Sequence, residues 1–133
     1  MIGLDTNVLV RYLTQDDPDQ ASIANPLIET QCTAEEPGLI SQVVLCELVW
    51  VLRSAYGCGK ETISHILEQV LTAAELKVAD EEVAWRALRA YQQGPADFPD
   101  YCILFANREA GCTLTYSFDR KLAQHPEAAI PEA

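Results

Sequence analysis

Short unbroken apolar runs alternate along the chain with stripes of apolar residues at helical spacing. Ile2 to Leu4 reads as a short buried strand, too brief for periodicity to prove, so its neighbours must arbitrate. Asn7 to Leu13 follows as a helix with Val8, Leu9, Tyr12 and Leu13 on one side, and QDDPD as a turn. Gln20 to Thr30 has a helical pattern through Ile23, Leu27 and Ile28. Pro26 lies inside it and removes a backbone donor, which predicts a kink or a new start there. EEPG marks a loop and Leu39 to Ile40 a second strand. Gln42 to Tyr56 is the clearest helix, with Ser41 placed to cap it and Gly57 to stop it. Lys60 to Ala73 is a further helix, Leu76 to Ala79 a third strand, and Asp80 to Gln92 another helix. After the Gly94-Pro95 break, Pro99 to Ala110 reads as a helix ending at Gly111, and Thr113 to Tyr116 as a fourth strand. A short helix is expected from Asp119, and the tail PEAAIPEA is either a short edge strand or loose.

Strands alternating with helices indicate an α/β domain with a mainly parallel sheet, and 133 residues suit one domain spanning 1–133. Ligands of such sheets bind at the carboxyl ends of the strands, the edge on which Asp5 and Asp119 would lie. A hydrophobic content of 49% is enough for a core without crosslinks. No apolar run approaches the roughly 20 residues of a membrane span. Asp5 interrupts the start before a signal-peptide core could form, so a soluble, cytoplasmic protein is expected. The five cysteines show no C-x-x-C pair and read as reduced and structural. His65 and His125 are too far apart, and too far from any suitable Cys spacing, for zinc.

A net charge of −11 argues against non-specific binding to nucleic acid and suits a divalent-cation site or a basic partner. Solubility accounts for the acids Asp16, Asp17, Glu35, Glu36, Glu81 and Glu82. Others stand in less ordinary places. Asp5 follows an apolar strand and serves equally as a helix cap or a ligand. Glu47 shares a helix face with Val44, Leu48 and Val51, where ionisation is costly without a cation or an arginine such as Arg11 or Arg53. Asp97 and Asp100 resemble a capping box. Asp119 closes a strand and either begins a turn or binds. Jointly, carboxylates at strand ends and helix starts can converge on one pocket. Hard oxygen donors select Mg²⁺ or Mn²⁺, which activate water for phosphoryl displacement. No Gly-rich phosphate loop or G-x-S-x-G elbow offers another chemistry.

The stretches GLDTNVLVRYL, SQVVLCELVWVL, ADFPDYCILFANREAG and TLTYSFDRKL, in that order and spacing, resemble the PIN-domain nucleases, in particular VapC-type toxins of toxin–antitoxin pairs. The resemblance covers nearly the whole chain. It implies a three-layer α/β/α domain with a short, mainly parallel sheet of four to five strands flanked by helices. It also implies a metal-dependent endoribonuclease with Asp5, Glu47, Asp100 and Asp119 on Mg²⁺ or Mn²⁺, and Asp97 as an acidic neighbour that completes a second metal position or orients a ligand water. Thr6, Asn7 and Ser117 would support the acids by hydrogen bonds, any capping at the first turn falling to Thr6 or Asn7. Arg11, Arg120 and Lys121 would touch RNA, within a basic rim that includes Arg53 and Arg108. The implied partners are RNA, a basic cognate antitoxin and a second copy in a homodimer. Pro99 departs from the family, which usually has a small helix former there, and the overall acidity sits awkwardly with an RNA enzyme. The alternative from a different class is a non-catalytic acidic domain on the same fold that binds a basic peptide.

Overall fold

Three short apolar segments pair in parallel at the start of the chain: β1 (Ile2–Gly3), β2 (Gly38–Ile40) and β3 (Leu76–Val78), in the order β1-β2-β3. The computed structural model describes residues 1–133. Ile2 stands opposite Gly38, and Gly38 opposite Leu76. Parallel neighbours need long crossovers. Helices α1 (Thr6–Thr14) and α2 (Pro18–Gln31) make the first, and α3 (Gln42–Ser54) and α4 (Lys60–Thr72) the second. Gly38 is required by close approach: a Cβ there would stand 2.8 Å from Leu4 Cδ1 and 2.9 Å from Cys32 Sγ. Leu9, Ile28, Ile40, Leu45, Leu48, Ile63 and Leu67 are fully buried, which places most of the apolar pattern in the core, whereas Ile23 of the expected α2 stripe is exposed.

The chain divides into two compact units, Met1–Glu81 and Glu82–Ala133. The second is built from α5 (Glu81–Gln93), α6 (Phe98–Glu109), β4 (Thr115–Tyr116), a 3-10 turn (Leu122–Gln124) and β5 (Ala128–Ala129). Tyr91 and Phe98 pack edge to face at 6.2 Å, and Gly94 leaves room for the Tyr101 hydroxyl. That hydroxyl accepts a bond from Ala96 N at 3.3 Å. β4 and β5 pair in parallel, Thr115 opposite Ala128, so the tail supplies an edge strand.

The expected strands are present and every pairing is parallel, but they form ladders of three and two rather than one continuous sheet. The bounds of α1 to α6 all fall within two residues of expectation; the difference in α2 lies in its start and in its proline. That helix begins at Pro18, inside the anticipated turn, and passes Pro26 without a new start. The Asp17 side chain accepts from Gln20 N at 3.1 Å, and Pro18 in the first turn has no donor to lose. Pro26 costs one backbone bond, while Ala21, Ala24 and Ile28 stay buried on both sides of it. The helix expected from Asp119 is instead a turn leading to the 3-10 segment. No helix is long and apolar enough to cross a membrane, and no disulfide links the five cysteines.

Candidate metal centre

The first unit places two of the expected acids on one cleft. The chain leaves β1 at Gly3 and enters α1 at Thr6, so Asp5 is the N-cap, with φ −84° and ψ 165°. Its Oδ1 accepts from Thr6 N at 2.8 Å. The cap is therefore the Asp5 carboxylate itself, not Thr6 or Asn7. The Thr6 hydroxyl is left for another task and donates to Glu47 Oε1 at 2.8 Å. One threonine thus ties together two acids 42 positions apart in the sequence. Glu47 is exposed rather than buried on the α3 stripe, so the desolvation expected of it does not apply. Its partner is a threonine and not Arg11 or Arg53. Asp5, Thr6, Asn7, Arg11, Glu47, Trp50 and Tyr56 line a cleft of about 390 Å³. Asn7 faces the cleft without a hydrogen bond to either acid.

Arg11 is held there by a network that the sequence did not suggest. Its Nε donates to Gln20 Oε1 at 2.6 Å, and its Nη1 to the Tyr56 hydroxyl at 3.1 Å and to Asp16 Oδ1 at 3.3 Å. Asp16 also accepts from Tyr56 at 2.6 Å and from Thr14 at 2.7 Å. These bonds, Tyr56 foremost, hold its carboxyl below the usual aspartate range. Asp16 is therefore more than a solubilising acid. Only the position of Asp16 beside a turn hinted at such a role, and nothing in the sequence linked it to Tyr56.

The second unit holds the remaining acids. Asp97 caps α6: its Oδ1 accepts from Phe98 N at 2.8 Å, while Asp100 Oδ2 accepts from Asp97 N at 3.2 Å. This is the expected capping box, with Pro99 accommodated in the first turn. Burial pushes the Asp100 carboxyl above the ordinary aspartate value. The bond from Asp97 N opposes that shift, and the charges of Asp119 and Asp97 add to it. Asp119 Oδ1 accepts from Lys121 N at 2.8 Å and Leu122 N at 3.2 Å. Ser117 Oγ accepts from Asp119 N at 3.0 Å, so it supports the backbone of the acid rather than its carboxylate. Arg120 and Lys121 are exposed beside it.

Within either unit, no three His, Cys, Asp or Glu side chains stand close enough to hold a metal ion. The model of the PIN domain family matches residues 2–128. The chain belongs to the PIN domain family. Members of that family are generally metal-dependent nucleases, and six helices with parallel strands are its α/β architecture. No curated protein matches the chain significantly.

The chemistry of the four candidate carboxylates suits a divalent cation. Asp5, Glu47, Asp100 and Asp119 each commit one oxygen to the local fold, and the other makes no hydrogen bond within the chain. Uncommitted carboxylate oxygens are hard donors suited to Mg²⁺ or Mn²⁺.

Proposed function

We propose that the protein is a Mg²⁺- or Mn²⁺-dependent endoribonuclease, the toxin of a toxin–antitoxin pair, with Asp5, Glu47, Asp100 and Asp119 as its metal-binding catalytic acids. The division of labour within each of these carboxylates carries the reading: one oxygen fixes the side chain, and the other stays available. Asp97 orients Asp100 through the capping box and adds charge beside it. When bound, a divalent cation supplies Lewis acidity to water and to the phosphodiester. Thr6 fixes Glu47, so that carboxylate does not have to be ordered when a ligand arrives. Arg11, held by Gln20, Tyr56 and Asp16, would meet a backbone phosphate, with Arg120 and Lys121 as further contacts. A basic antitoxin suits the chain's net charge of −11, and the working form is a cytoplasmic homodimer.

The test is cleavage of a panel of structured and unstructured RNAs in Mn²⁺, paired with growth of cells expressing the protein. Cutting that stops with chelator and with Asp119→Asn, together with growth arrest relieved by the same change, is the expected result. One observation favours a second reading: Asp5, Asp100 and Asp119 also have structural duties as caps or turn formers. A wild type that cuts no RNA or DNA yet binds a basic peptide would establish the non-catalytic interaction domain instead.

A further inference from the structure

Phe118 is 82% exposed and Tyr116 66% exposed. Each would gain by burial, and neither is used by the core of its unit. The loop around them is pinned. Ser117 N donates to Ala129 O at 3.0 Å and Ala123 N to Asp119 O at 3.0 Å. Asp119 N is bonded to Ser117 Oγ at 3.0 Å. Lys121 N and Leu122 N both donate to the Asp119 carboxylate. The Phe118 ring is therefore presented on a fixed backbone next to Asp119. Arg120 and Lys121 follow at once, both exposed, in a chain with only 9 Lys and Arg against 20 Asp and Glu. An aromatic face beside cations is how sequence-tolerant sites grip single strands, because every base offers a π face and every linkage a charge. Leu114 and Ile130 are also exposed in this unit, but it is the two cations adjoining Phe118 that favour a polyanion over a protein partner.

We propose that Phe118, aided by Tyr116, is a base-stacking platform that seats an unpaired nucleotide beside Asp119, with Arg120 and Lys121 taking the flanking phosphates. This rests on the ribonuclease reading and narrows it to unpaired RNA, with Phe118 as a positioning residue. A duplex presents no free base face to such a ring, so a paired substrate should bind through its phosphates alone.

The experiment uses the full chain carrying Asp5→Asn, to suppress cutting, and a labelled unstructured RNA 12-mer read by fluorescence anisotropy. A second 12-mer carries abasic sites. Adding Phe118→Ala should weaken binding of the normal strand about tenfold, the loss of one stacked base. It should leave the abasic strand unaffected, and Phe118→Trp should restore affinity. Arg120→Ala should weaken both strands alike. Equal binding of the normal strand with and without Phe118, or an equal loss on both strands, overturns the platform while leaving the nuclease reading intact. If the parent and the wild type bind no RNA at all, the nuclease reading falls and the platform with it.

Discussion

Asp5 and Glu47 stand exposed and meet through the Thr6 hydroxyl, whereas Asp100 is half-buried and feels the charges of Asp97 and Asp119. In the first unit a neutral donor organises the acids, so their placement costs little and depends on one hydroxyl. In the second, a capping box and a turn hold acids near one another against repulsion. The first arrangement is preorganised, whereas in the second burial, and after it the charges of Asp119 and Asp97, disfavour the ionised Asp100 carboxyl.

That contrast can be broken at several points. The largest effect is expected from Asp100→Asn on Mn²⁺ affinity measured by calorimetry. If Asp100 binds the cation as proposed, its loss should exceed the roughly 10–100-fold that loss of a supporting partner costs. Thr6→Val should fall within that roughly 10–100-fold range, because Glu47 keeps its carboxylate but loses its orientation. A Thr6→Val protein that binds Mn²⁺ like the wild type would remove the hydroxyl from the account. Smaller effects concern stability without metal. The Asp100 carboxyl is raised in the folded state, so its contribution to stability is complete below its unfolded value and is lost as pH rises through the folded one. Asp100→Asn should therefore melt higher than the wild type at neutral pH in chelator, and the gain should disappear in acid. Asp16 has the opposite sign. Its folded carboxyl is lowered, so its contribution is present above the unfolded value and is lost as pH falls through the folded one. Asp16→Asn should cost a little stability at neutral pH and nothing in strong acid, a small change because the group is exposed. Melting curves across pH decide both.

The elements of the fold were legible because helical stripes and caps are local signals. Ser41 capping α3, Gly57 and Gly111 at left-handed φ beyond helix ends, and the Asp97–Asp100 box all follow from residues a few positions apart. At Pro26 no new start occurs, because the buried residues on either side of it keep one helix continuous through the missing donor. Glu47 departs from expectation for a related reason. Apolar neighbours at helical spacing imply a face, but the edge of that face is set by packing with other elements, and Glu47 lies outside it. The Thr6–Glu47 bond and the Arg11–Tyr56–Asp16 network join residues 40 or more positions apart in at least one partner, and no periodicity encodes such pairings. The exposure of Phe118 was equally hidden, since an aromatic next to a strand reads as core until its neighbours are placed.

The most direct test sets one acid from each unit side by side: the rate of cleavage of an unstructured RNA in Mn²⁺ by the wild type, by Asp5→Asn and by Asp100→Asn, with folding of each checked by circular dichroism. If acids of both units serve the same reaction, the wild type cuts, chelator stops it, and either substitution alone abolishes cutting in a folded protein. A folded variant of either kind that cuts at the wild-type rate would contradict that account.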